Sequence, residues 1–188
     1  MLNWEELRKE CEKCKKCGLG DTRSNIVIGR GNPKSSVMLI GEGPGEQEDK
    51  KGLPFVGPAG KLLDLLMEAL MINNDQVYIA NIVKCRPPGN RVPSEEEAEK
   101  CLPFLRNQVA LIKPKIIVCL GSTAMQFIID KKAKITQIRG QWIERKGYWI
   151  MPTFHPAALL RDESKKMLMW DDFKKVKQRM DSLNALDN

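Results

Sequence analysis

The sequence predicts an α/β fold: a three-layer α/β/α domain around a central four-stranded, mainly parallel sheet. Three observations lead there. Short apolar runs alternate with segments of helical period, the pattern of strands joined by helical crossovers. The runs are continuously apolar, as in strands covered on both faces. Polar and glycine-rich residues cluster directly after these runs, where open α/β sheets bind ligands.

The elements follow in order. Trp4–Cys11 has helical spacing and leads into a cysteine-rich turn. Val37–Ile40 is a buried strand ending at Gly41, and a long Gly/Pro loop follows. Gly60–Leu70 reads as a helix with Leu62, Leu63, Leu65, Leu66 and Leu70 on its apolar side, closed by Asn73-Asn74-Asp75. Val77–Val83 is a second strand, and Pro87-Pro88-Gly89-Asn90 is a loop. Ser94 with Glu97 forms a capping box that starts a helix, which Pro103 should break or restart near Cys101. Lys115–Leu120 is the third strand, and Gly121-Ser122 opens another helix. Arg139–Thr153 reads as a hairpin turning at Lys146-Gly147, followed by Phe154-His155-Pro156. A charged amphipathic helix takes most of Ser164–Leu183, and the residues from Ala185 onward should be loose.

At 188 residues the chain suits one domain, residues 1–188, and 42% apolar content lies in the globular range. No internal repeat or low-complexity linker divides it. No apolar run approaches the roughly 20 residues needed to span a bilayer. The charged start, MLNWEELRKE, lacks the apolar centre of a secretory signal, so a cytoplasmic protein is the expectation. A net charge of +7 suits a polyanionic partner but does not identify one.

Six cysteines in such a chain point to metal or redox chemistry. Cys14 and Cys17 form a C-x-x-C pair, and Cys85 and Cys101 lie far along the chain. Two ligands from a tight turn and two from distant segments can close a four-thiolate site. Cys11 offers a competing C-x-x-C with Cys14, and Cys119 sits in an apolar strand as a small core residue. Spacing alone does not separate zinc from a [4Fe–4S] cluster.

The stretch Gly41–Asp49 fails the G-x-x-x-x-G-K-[ST] phosphate-loop pattern, and four acidic residues in nine would repel phosphate. It suits a neutral ligand and an activated water. Phe55 is placed to stack on a planar ring, Asn81 is a polar residue in an apolar strand, and His155 is the only histidine. Each has an ordinary packing role as an alternative.

Together these residues resemble the family-4 (iron–sulfur) uracil-DNA glycosylases. The resemblance rests on Cys14-x-x-Cys17, Gly41-Glu42-Gly43-Pro44-Gly45, Glu48-Asp49, Gly52-Leu53-Pro54-Phe55-Val56-Gly57, Asn81, Cys85 with Cys101, and His155-Pro156, in that order. It implies a [4Fe–4S] cluster on Cys14, Cys17, Cys85 and Cys101, structural rather than catalytic, leaving Cys11 and Cys119 free. It implies a monofunctional hydrolase that flips uracil out of DNA, cleaves its N-glycosidic bond and leaves an abasic site for base excision repair. Phe55 would stack on the base and Asn81 would read it. His155 would donate to uracil O2, and Glu42 would position or activate water, with Glu48 and Asp49 as second candidates.

The sequence departs from the family-1 pattern G-Q-D-P-Y-H: Gly43 stands in place of its Asp and Gly45 in place of its Tyr. Glu48 is the candidate gate against thymine's methyl by reach. No histidine-bearing insertion follows the second strand, which argues against the covalently trapping members. Leu160 would enter the DNA minor groove and Arg161 would hold phosphate. The expected partner is uracil-containing DNA, single- or double-stranded, bound by a monomer, with a sliding clamp or other repair proteins as further partners. The rival readings are a non-catalytic iron–sulfur DNA-binding module and a zinc-stapled nucleotide-binding protein.

Overall fold

The computed structural model describes residues 1–145 and 147–186. The chain runs α1 (Trp4–Lys13), α2 (Leu19–Thr22), β1 (Arg30–Gly31), β2 (Val37–Gly41), α3 (Glu46–Lys51), α4 (Pro58–Ala69), β3 (Val77–Asn81) and α5 (Glu95–Ile112). It continues through β4 (Ile116–Leu120), α6 (Ser122–Ile128), α7 (Ile135–Ile138), β5 (Ile143–Arg145), β6 (Tyr148–Thr153), α8 (Pro156–Arg161) and α9 (Lys165–Leu186).

The strands form one six-stranded sheet in the order β1-β3-β2-β4-β6-β5. Its four central strands, β3, β2, β4 and β6, are mutually parallel. The two short outer strands are antiparallel additions. The expected four-stranded parallel sheet is therefore present, widened by one short strand at each edge. One of them, β5, is the first arm of the expected Arg139–Thr153 hairpin, whereas β1 has two residues and leaves little signal in sequence.

Both faces of the central strands are covered, which explains their unbroken apolar runs. Met38, Ile40, Tyr78, Ala80, Ile117 and Cys119 pack on one face with α1, α5 and α6. Their immediate neighbours Val37, Leu39, Val77, Ile79, Ile116 and Val118 pack on the other with α4, α8 and α9. The period of two in side-chain direction sorts one apolar run into two cores. Among the described residues no helix is long and apolar enough to cross a membrane.

Three local expectations need correction. Pro103 does not interrupt its helix: α5 runs unbroken through it. Proline removes one hydrogen bond, here to the Glu99 carbonyl, and Glu99 lies on the exposed side of the helix. The loop expected after Gly41 contains α3. Its Glu46, Glu48 and Asp49 lie in the first turn and Lys50 and Lys51 in the last, which suits the helix dipole. The final helix reaches Leu186, so the loose terminus expected from Ala185 is helical for two more residues. Asp187, Asn188 and Lys146 of the expected hairpin turn lie outside the described residues. The capping box on Ser94 and Glu97 forms as expected.

Sheet order also places the site. From β2 the chain steps outward to β3, then returns to the other side of β2 to lay down β4 and β6. The connections thus diverge between β2 and β4, and the crevice at the carboxyl ends of the strands there is the ligand position for such a sheet.

Candidate base-binding pocket and cysteine recess

A cavity of about 430 Å³ opens at that edge, lined by Glu42, Gly43, Glu48, Phe55, Asn81 and His155 among others. Residues far apart in sequence meet there because each follows, or ends, one of the central strands. Leu160, 56% exposed on α8, stands at its mouth. Arg161 is exposed on the next position and is not part of the wall.

Asn81 closes β3 opposite Gly41 of β2. Its side chain is 1% exposed, and among the described residues its Oδ1 has no hydrogen-bond partner. A buried acceptor left unpaired costs on the order of 1–3 kcal/mol, so it calls for a ligand donor. Gly41 makes the approach feasible: a Cβ there would stand 2.5 Å from Asn81 Oδ1 and 2.7 Å from the Phe55 ring.

Phe55 has a left-handed backbone, φ 54°, strained for a non-glycine residue. Glu48 holds it there: its Oε1 accepts from the backbone N–H groups of Val56 and Gly57, at 2.8 and 2.7 Å. Glu48 therefore clasps the loop that presents Phe55, in addition to lining the pocket. The Phe55 ring stacks near the His155 ring, centroids 5.5 Å apart.

His155 sits just before α8. Its Nδ1 accepts from the Ala157 N–H at 3.1 Å, so in the neutral ring the proton resides on Nε2. Burial, aided by nearby Arg161 and opposed by Glu48, lowers its pKa from 6.5 to about 4. The ring is thus a neutral Nε2–H donor at physiological pH.

Glu42 follows β2, and its Oε2 accepts a short hydrogen bond from the Thr123 hydroxyl. Asp49, the other acidic candidate, is turned away. Its carboxylate is 4% exposed and accepts from the backbone N–H groups of Ser24 and Asn25. It ties the N-terminal segment to α3 and does not line the cavity, which removes it from the acidic role. The loop after β3 adds Arg91, paired with Glu97 at 2.6 Å, to the cavity edge. Arg91 and Thr123 carried no distinct sequence signal beyond lying after strands.

Cys14, Cys17, Cys85 and Cys101 come together around a second recess, and Cys11 joins them. Cys119 lies in the core, fully buried, its thiol pKa pushed up by burial. Among the described residues four cations also line the recess, Lys16, Arg23, Lys84 and Lys100, and no carboxylate does. Arg23 Nη1 donates to Cys85 Sγ at 3.1 Å, and the Lys84 backbone N–H to Cys101 Sγ at 3.3 Å. Burial pushes the Cys11 thiol up to about 12 and Cys101 to about 11, so these sulfurs stay protonated without a metal. Among the described residues no three Cys, His, Asp or Glu side chains converge on one point as a single ion requires.

Lys84 lies between the two sites. Fully buried, it donates from Nζ to the Asn81 carbonyl at 2.8 Å and to Gln108 Oε1 at 2.6 Å. Burial pulls its pKa down to about 8, against the opposing pull of Cys101, Cys11 and Cys85.

Comparison with known proteins adds an independent line. The family model described as the uracil DNA glycosylase superfamily matches residues 28–179. A type-4 uracil-DNA glycosylase of Sulfurisphaera tokodaii is 45% identical over 95% of this chain and 85% of its own. One from Thermotoga maritima is 45% identical over 92% of each chain. One from Saccharolobus solfataricus is 42% identical over 100% of this chain and 92% of its own.

Proposed function

The chain belongs to the type-4 branch of the uracil-DNA glycosylase superfamily, and from that premise we propose that it removes uracil from DNA by hydrolysing the N-glycosidic bond. The single observation that carries this reading is the unpaired, buried Oδ1 of Asn81 facing a cavity that also holds a neutral imidazole and a carboxylate.

The target base must leave the stack to reach the pocket. Phe55 gives it a flat, apolar wall. Uracil offers an N3–H donor beside its O4 acceptor, and Asn81 offers Oδ1 and Nδ2 in the complementary order. Cytosine presents the reverse pattern and would leave Oδ1 against another acceptor. Unmade buried hydrogen bonds supply kilocalories of discrimination.

As the bond breaks, negative charge grows on uracil and positive charge on the sugar. His155 Nε2–H donates to O2 of the departing base, and being neutral it needs no proton exchange to do so. A donor fixed where charge develops is worth roughly 3–4 kcal/mol. Glu42 orients the attacking water with its free oxygen and faces the cationic sugar. Unit charges about 5 Å apart are worth roughly 3 kcal/mol at an effective dielectric near 20. Gly43 leaves that water side open. Glu48, fixed by its two backbone contacts, is the wall that would meet thymine's methyl. Leu160 plugs the space left in the duplex, and Arg161 contacts a phosphate beside it.

The cysteine recess fits a [4Fe–4S] cluster. Five cysteines and four cations line the recess, and no carboxylate of the described residues does, which supports an anionic metal–thiolate group there; the kinship with type-4 enzymes favours the cluster. Cys14, Cys17, Cys85 and Cys101 would hold it, and its contribution would be to tie the N-terminal segment to β3 and α5. Cys11 lines the same recess and would lie against the cluster as a buried thiol. The working unit is one domain, residues 1–188, acting as a cytoplasmic monomer on single- or double-stranded DNA. A sliding clamp or other repair proteins are further partners by resemblance alone.

The test is an oligonucleotide carrying uracil, thymine or hypoxanthine at one position, incubated with the chain and treated with alkali. Cleavage at uracil is expected. Intact strands at high enzyme excess would sink the reading.

A further inference from the structure

β4 lies between β2, which leads directly into Glu42, and β6, which ends two residues before His155. Its carboxyl end, Gly121-Ser122-Thr123, therefore stands between the two groups that flank the scissile bond, and it touches both. We propose that this turn is a built-in spacer, with Thr123 the positioning residue for Glu42 and Gly121 the seat of His155. The inference rests on the roles given above to Glu42 and His155 and adds residues that those roles do not include.

The contact on the acidic side is a hydrogen bond. Thr123, 8% exposed at the start of α6, donates its hydroxyl proton to Glu42 Oε2. A hydroxyl has one proton to give, so the bond occupies one carboxylate oxygen and leaves the other to orient water. It also removes rotamer freedom from a side chain with three rotatable bonds at the point where orientation governs rate. Threonine is branched at Cβ and stiff at χ1, which suits the task better than a longer donor.

The contact on the imidazole side is steric. Gly121 has φ 93°, a left-handed conformation that side chains avoid, and its N–H donates to the Thr153 carbonyl at 2.9 Å. A Cβ built on Gly121 would stand 2.8 Å from the Cβ of His155. The turn is thus pinned to β6 two residues before His155, with backbone packed directly against that residue. A methyl at 121 would collide with the His155 Cβ, so that residue would have to shift.

The experiment is a double-mutant cycle on the full, metal-loaded chain, read by single-turnover uracil release. Thr123→Val is expected to lower the rate about 10–100-fold with substrate affinity within about 3-fold of wild type, and Thr123→Ser to restore it within about 3-fold. In a Glu42→Ala background, which removes the acceptor, Thr123→Val should change the rate less than about 2-fold. Gly121→Ala should slow release at least about 10-fold in wild type and little in a His155→Ala background. A Thr123→Val rate within about 2-fold of wild type, or an equal loss with and without Glu42, would overturn the inference alone. A wild-type rate for Glu42→Gln would overturn the assignment of Glu42 and the inference with it. Should Gly121→Ala not fold, the Thr123 cycle still decides the acidic half.

Discussion

Asn81 and Lys84 are three residues apart, both buried, and belong to regions of opposite electrostatic character. Asn81 faces a cavity whose wall carries Glu42, Glu46 and Glu48. Lys84 faces a recess lined by four cations and five cysteines. Asn81 keeps an unpaired acceptor, whereas both Lys84 contacts are made. The pocket is unsatisfied until a ligand arrives, and its acids suit a transition state with a cationic sugar. The recess, lined by cations, suits resident negative charge, which metal-bound thiolates would supply. On the proposed reading one region serves turnover and the other stability.

Substitutions break that division in order of expected size. His155→Ala should lower single-turnover uracil release about 10²–10³-fold, the loss typical of one transition-state donor, with the melting temperature within a few degrees of wild type. A large fall in melting temperature would show that His155 belongs to the framework. Cys101→Ala should act in the opposite sense. Iron content should fall, and the unfolding temperature should drop by roughly 10 °C or more, because metal-binding energy is folding energy. Unchanged stability in a metal-free chain would refute the structural role of the recess.

Lys84→Met tests the link between the regions. It orphans the Asn81 carbonyl and Gln108 Oε1 together, so denaturant unfolding should show a loss of about 1–3 kcal/mol. A more stable variant would mean that the buried cation is a burden the recess does not compensate.

A last effect, confined to acid pH, is on pH dependence. The folded-state pKa of His155 is lowered from 6.5 to about 4. Between those values the unfolded chain binds a proton that the folded chain does not, so stability rises with pH across the window and falls as pH drops through it. Equilibrium unfolding of wild type and His155→Gln should diverge over that interval, with wild type losing more on acidification. Parallel curves would contradict the depressed value. The rate of uracil release should show no imidazole titration near pH 6.5.

The central sheet was legible in the sequence because its strands are short, apolar and followed by punctuation. Of the edge strands, β5 was legible as the first arm of the Arg139–Thr153 hairpin, whereas β1 and α3 were not: two residues carry no period, and glycines on both sides of Glu46–Lys51 hid a helix whose charges were correctly ordered. The pocket was legible as a set, since Glu42, Asn81 and His155 all follow or end strands. The division of labour among the acids was not. Glu48 and Asp49 are adjacent in sequence, yet one clasps the Phe55 loop and the other the N-terminal segment, and only packing decides between neighbours on one helix. Spacing singled out Cys14, Cys17, Cys85 and Cys101 with Cys11 as a competitor, and all five line the recess. Their cationic surround was not legible, because Lys16, Arg23, Lys84 and Lys100 come from separate segments.

The account turns on Asn81. Its most direct test is single-turnover release of free uracil from a single-stranded oligonucleotide by wild type and Asn81→Ala. Release by wild type, slowed about 10²-fold or more in the variant, is the predicted result. Equal rates in the two proteins would contradict the assignment of the pocket.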